Sequence, residues 1–230
     1  MKNKRRSAFT LIELLVVVAV VGVLAGLLLS ALNGARATAK RAQCVSNLRQ
    51  LGLAIAMYAD DHQGWMPGTT HGAPLSNSWV FTLRPYVANV DRIRICPADP
   101  LARQRAELKL TSYTLNEYVA VPVMGPFGEV LESFCNLEKL KSPAQTITVF
   151  IGADDLGLSV TSDHTHSRNW TGWSQVLADI QPDRFRYGPK APDSSKGSAN
   201  YLLADGHVET WPAAQVKRWV DSGIPFARPP

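Results

Sequence analysis

The sequence predicts an α+β protein: a long N-terminal α-helix, transmembrane in its first half, packed on a small antiparallel β-sheet with long loops. Three observations predict it. Residues 11–32 form an apolar run in which Glu13 is the only charge. Residues 33–60 contain no proline, and Val45, Leu48, Leu51, Ile55 and Tyr58 recur at spacings of three and four, the period of an amphipathic helix. The remainder of the 230 residues carries most of the chain's apolar side chains in short β-branched and aromatic runs broken by proline and glycine.

Each element follows from its local pattern. The apolar run 11–32 would span roughly 33 Å as a helix, the thickness of one bilayer core. A cleaved secretory signal is the alternative, because Ala35, Arg36 and Ala37 form a small-residue site and would leave a chain starting near Thr38. Read as one helix, residues 9 to 60 extend about 75 Å. "DDHQGWMPG" (60–68) ends it with acidic residues, glycine and proline. Residues 78–87 fit a short helix or strand, and 112–123 and 145–152 read as strands. Residues 153–198 lose all periodicity and read as a polar, solvated loop, functional or mobile. In "NYLLADGHVETW" (200–211), Asp205 and Gly206 suit a type I′ turn, which would place Leu203 opposite Val208 and Tyr201 opposite Thr210. Residues 212–223 suit a closing helix, with proline early and glycine late.

The formal charge of +5 is concentrated at the start. Without Lys2, Lys4, Arg5 and Arg6 the balance is close to neutral, which argues against nucleic acid as a partner. Basic residues ahead of a membrane helix stay in the cytoplasm, so the C-terminal domain lies outside. Arg36, Lys40 and Arg41 run against that rule on the far side, although a long domain translocates regardless of such charges. Cys44, Cys96 and Cys135 would then face an oxidising compartment. One disulfide plus one free thiol, with Cys44 and Cys96 as candidates, stands beside three small buried hydrophobes. Spacing does not fix the pairing.

Glu13 is the residue that a simple anchor does not explain. A carboxylate in hydrocarbon costs on the order of 2–3 kcal/mol. The stretch "SAFTLIELLVVVAVVGVLAGLLLSAL" (7–32) resembles the signal of type IV prepilins and type II secretion pseudopilins: a short basic leader, a small residue, Phe-Thr-Leu-Ile-Glu, then about twenty apolar residues. The resemblance implies a pilin-like fold and four segments: leader 1–8, transmembrane helix 9–32, extracytoplasmic helix 33–62 and a β-rich domain 63–230. It implies cleavage by a prepilin peptidase between Ala8 and Phe9, methylation of the new amine, and pairing of Glu13 with the Phe9 amine of a neighbouring subunit. Ala8 stands where glycine is usual. "RAQCVSNLRQLGLAIAMYADDHQGWMP" (41–67), "ICPAD" (95–99) and "ANYLLADGHVETW" (199–211) resemble a pilin-like family whose processing-associated motif is His, nine residues, Asp-Gly; the histidine position holds Ser195.

The remaining chemistry is sparse. His164 and His166, with Asp163 beside them and Asp154 and Asp155 upstream, are the candidate metal ligands. The resemblance adds calcium, held by Asp154, Asp155 or Asp163, as a structural ion; otherwise no cofactor is expected. No Gly-x-Ser-x-Gly or phosphate loop is present, so an enzyme is not expected. The expected function is a non-enzymatic structural subunit of a pseudopilus or pilus-like fibre. It would sit in the inner membrane with its domain in the periplasm. Its partners would be prepilin peptidase, other pilin-like subunits, the inner-membrane assembly platform and membrane lipid. The alternatives are an anchored binding protein that takes a polysaccharide or similar ligand through the 153–198 loop, and a metal-dependent hydrolase using His164 and His166.

Overall fold

The computed structural model describes residues 11–70, 75–88, 90–158, 163–186 and 188–230, with the backbone alone at 28–31, 33 and 75. Its first element, α1 (Leu11–Asp61), is a single helix of 51 residues. The uninterrupted period and the absence of proline sustain it. It stops where Gln63 and Gly64 turn to φ of 57° and 83°, and the Gly64 N–H donates to Ala59 O at 2.7 Å. A side chain at Gly64 would meet Asn136 Oδ1 at 2.7 Å, so glycine is required twice over there. Among the described residues no helix is long and apolar enough to cross a membrane. Ala8 and Phe9 lie outside the described residues.

Among the described residues five shorter α-helices follow: Trp79–Thr82 (α2), Ala102–Glu107 (α3), Glu117–Ala120 (α4), Trp173–Asp179 (α5) and Ala213–Asp221 (α6). The strands are Tyr113–Leu115 (β1), Val123–Met124 (β2), Val130–Glu132 (β3), Ile147–Ile151 (β4), Ser198–Leu203 (β5) and Val208–Pro212 (β6). Strands β1, β4, β5 and β6 pair antiparallel in that spatial order, and β2 and β3 form a separate hairpin. The α+β architecture, with one long helix on a small antiparallel sheet, is as expected.

The sheet is covered on both faces. On one, Leu48, Leu51 and Ile55 of α1 are buried. Gly52 lets the helix approach so closely that an added Cβ would lie 2.9 Å from Leu202 Cδ1 on β5. On the other, Phe150 and Tyr201 meet edge to face at 5.9 Å, and Trp170 and Phe226 each lie edge-on to Phe150, at 5.6 Å and 6.3 Å. Two-sided cover explains why every residue of β4 is buried.

Three expectations are corrected. Residues 112–123 do not form one strand. Asn116 ends β1: its side chain accepts from Tyr118 N to start α4, and its amide donates to Ile147 O at 2.8 Å and Ala227 O at 2.6 Å. The β5–β6 hairpin is one residue out of the expected register, with Leu202 opposite Val208 and Tyr201 opposite Glu209. The loop has three residues rather than two: Gly206 N bonds Leu203 O, Leu203 N bonds His207 O, and only Gly206 is left-handed, at φ 89°. Finally, the 153–198 stretch is not a solvated loop. It contains α5, and Asp163, His164, Thr165, Ser167, Asp179, Gln181 and Asp183 are buried in it.

Candidate functional site

Apart from Glu13, the described first half of α1 carries no charged residue to meet water. From Leu11 to Leu27 every residue is exposed, with Leu11 at 80%, Ile12 at 75% and Leu27 at 66%, on all sides of the helix. A helix that is apolar all round needs cover from lipid or from other apolar helices. Glu13 lies in its first turn, at the positive end of the helix dipole, and is exposed. The residues it is expected to work with, Ala8 and Phe9, are not described. The geometry therefore presents a carboxylate at the tip of an uncovered apolar rod.

The second half is covered by the protein itself. Cys44, Leu48, Leu51, Ala54 and Ile55 are buried in the main core. The expected stripe is thus shifted by one position at its start: Val45 is half-buried, and Cys44 and Asn47 take the inward places. Two polar ties fix the helix to the domain. Asn47 Nδ2 donates to Ile95 O at 2.9 Å, and Asn200 Nδ2 donates to Arg41 O at 3.3 Å. Neither asparagine stands out in the sequence, because each acts through a backbone carbonyl.

Cys44 and Cys96 lie side by side, both as free thiols. Cys96 hydrogen-bonds Cys44, and this contact with its burial holds the Cys96 thiol well above its ordinary value. Burial raises the Cys44 thiol, but hydrogen bonds from Cys96, Tyr113 and Asn200 outweigh it and leave Cys44 lowered. Tyr113 Oη lies 3.5 Å from Cys44 Sγ. Cys135 is buried apart from them, and its carbonyl accepts from Met66 N.

Of the candidate metal ligands only the His164 and His166 rings come together, at 5.3 Å, without a third ligand grouped with them among the described residues. Asp163 is buried and already committed: it accepts from Thr70 N and Thr70 Oγ1, each at 3.0 Å, from Ser78 Oγ, and pairs with His164 Nδ1 at 2.7 Å. His166 is exposed and pairs instead with Asp179, which also accepts from Trp170 Nε1 at 2.7 Å. Asp154 pairs with Arg184, and Asp155 is exposed. Among the described residues no three His, Cys, Asp or Glu side chains are grouped to hold a metal ion. These polar groups instead lock the irregular stretch to the core: Trp79 Nε1 donates to Asp163 O, and Leu115 N to the same carbonyl.

At the motif's histidine position, Ser195 Oγ donates to Asp193 Oδ1 at 2.7 Å within a surface turn. Asp205 accepts from His207 N and faces its ring, so the Asp-Gly pair shapes a hairpin tip. An aromatic cleft of about 290 Å³ lies between Tyr118, Trp170 and Phe226. Arg168 stacks over Tyr118 at 4.3 Å. Its parts are over fifty residues apart in sequence, so no motif announces it.

Parts of the sequence are similar to known proteins. Residues 3–29 match the model of the prokaryotic N-terminal methylation motif, and residues 33–92 match one described as a protein of unknown function (DUF1559). The chain is 35% identical to the type II secretion system core protein G of Escherichia coli over 99 residues, 42% of this chain and 67% of that protein. It is 36% identical to the protein of that name from Aeromonas hydrophila over 72 residues, 31% of this chain and 50% of the relative. No solved structure matches.

Proposed function

The chain belongs to the prepilin- and pseudopilin-like family, and on that premise we propose that it is a non-enzymatic subunit of a pseudopilus or pilus-like fibre. The observation that carries the reading is the exposed apolar half of α1 with Glu13 at its tip. In this reading the chain spans the cytoplasmic membrane once through residues 9–32. Residues 33–62 continue the helix outside, beneath the domain 63–230. Prepilin peptidase removes residues 1–8, cutting between Ala8 and Phe9, and the new amine is methylated.

Glu13 then has a physical reason. Alone in hydrocarbon it costs about 2–3 kcal/mol. Beside the Phe9 ammonium of a neighbouring subunit that cost is largely offset. The pairing forms in one register, so it favours assembly in that register. Other pilin-like subunits and the inner-membrane assembly platform are the partners, and the apolar helix passes from lipid into the fibre core.

The test is Glu13→Val. The variant is cut after Ala8 as the parent is, by intact mass of its N-terminal peptide. Its incorporation into sheared fibres falls roughly a hundredfold, the factor corresponding to about 2–3 kcal/mol. Normal incorporation overturns the pairing. Parent chain that is processed yet gives no crosslinked ladder of subunits overturns assembly itself, in favour of an anchored binding protein.

A further inference from the structure

Arg36, Lys40 and Arg41, the charges that run against the orientation rule, have a structural setting. From Leu14 to Ala59, α1 contains no aspartate or glutamate, yet it carries Arg36, Lys40, Arg41 and Arg49. Elsewhere the domain matches its buried cations: Arg94 with Asp91, Arg105 with Asp99 at 2.9 Å, Arg168 with Glu132 and Arg184 with Asp154. Among the described residues no ion pair engages Arg36 or Lys40. They lie at i and i+4 on one helix face, where like charges repel.

That face is exposed but not flat. Arg36 and Lys40 line a pocket of about 370 Å³ whose opposite wall is Arg184, Phe185 and Arg186. Arg184 is spent on Asp154 and on Gly152 O at 2.8 Å. Arg186 reaches back to Asp183 at 3.5 Å, and that carboxylate is buried behind it. The acids near the pocket are thus engaged on the domain side, and the two helix cations are left without a counter-charge.

We propose that this pocket seats the phosphodiester of an anionic phospholipid at the outer surface of the membrane that α1 enters. The shared chemistry is a phosphate oxyanion held by one guanidinium fork and one ammonium, with Arg186 across the pocket. The lipid is the source because Arg36 follows Leu32, the end of the apolar run, by four residues, about 6 Å of helix. That is headgroup level, where Lys and Arg side chains meet lipid phosphates. The inference rests on the membrane reading above. It gives the reversed charges a role: they hold the domain's base against the surface rather than set topology.

The experiment uses the full chain reconstituted in phosphatidylcholine vesicles, with spin-labelled phosphatidylglycerol and phosphatidylcholine as competing probes. One uncompensated cation near an anionic lipid strengthens association about fivefold, and two by roughly thirtyfold. The parent is expected to prefer the labelled phosphatidylglycerol by a factor in that range. Arg36→Gln with Lys40→Gln abolishes the preference without changing insertion, and Arg49→Gln retains it. Insertion with no preference overturns the proposal and leaves the membrane reading intact. Failure to insert overturns both. Displacement of the label by inorganic phosphate at constant ionic strength overturns the lipid assignment, because the pocket would then be a free-phosphate site.

Discussion

The two halves of α1 are built from the same residues and meet opposite fates. Leu11 to Leu27 and Cys44 to Ala59 are both rich in leucine, valine, isoleucine and alanine. The first is exposed throughout, and the second buries Leu48, Leu51 and Ala54 completely. The difference lies in the other residues. In the second half Ser46, Arg49 and Gln50 interrupt the apolar pattern on the exposed side, so one stripe turns inward and the helix has its own domain for a partner. From Leu11 to Leu27 only Glu13 interrupts it, and none of the described residues covers it. The second half carries the folding of the subunit, and the first half is left for whatever surrounds the subunit.

Substitutions sharpen that contrast, most strongly in the core. Leu51→Ala costs the domain about 2–5 kcal/mol, whereas Leu24→Ala costs less than about 0.5 kcal/mol, both read by urea unfolding in detergent. Equal losses would erase the distinction. Next is the helix–domain joint. Exposed to an extracytoplasmic dithiol oxidant, Cys44 and Cys96 are expected to close as a disulfide, lowering the intact mass by two hydrogens and stabilising the domain by about 2–4 kcal/mol. Three titratable thiols in the exported, unfolded protein would sink that expectation. Gly52→Ala is smaller. Its Cβ would press on Leu202, at 2.9 Å, and lie 3.4 Å from Gly206 Cα. The clash outweighs alanine's better helix propensity, and the midpoint shift corresponds to about 1 kcal/mol. A stabilised variant would show that helix and strand are less closely seated.

The smallest effect is at the hairpin tip. The Glu209 carboxylate, then Asp205, raise the His207 imidazole against its partial burial, and His207 in turn holds Glu209 below its ordinary value. A raised imidazole adds stability that is complete below the unfolded value near 6.5 and lost as pH rises through the folded one. The lowered Glu209 carboxyl adds stability present above its unfolded value near 4.5 and lost as pH falls. The pair therefore contributes most between about pH 4.5 and 6.5. His207 is 41% exposed, so the contribution is at most a few tenths of a kcal/mol. An NMR titration that places His207 at or below 6.5 would remove it.

What the sequence made legible was what depends on local pattern. The long helix, its stop near Asp61, the closing helix and the position of the last hairpin follow from period, proline and glycine. The leader motif also lies within one short stretch, and the role proposed for Glu13 is argued from it. The hairpin register was not, because Asp-Gly serves both a two-residue loop and the three-residue loop that forms here. Nor was the burial of Asp163, Asp179 and Asp183. Polar side chains ordinarily indicate solvent, and Asp163 is buried only because Thr70, Ser78 and His164, up to 93 residues away, satisfy it together. The aromatic cleft and the cationic pocket are assembled in the same non-local way.

The measurement closest to the central claim is the intact mass of the N-terminal peptide recovered from the membrane fraction. A chain beginning at Phe9 with one added methyl group keeps the uncovered half of α1 and its carboxylate, as assembly through that half requires. A chain beginning near Thr38 has lost both, and would contradict the account.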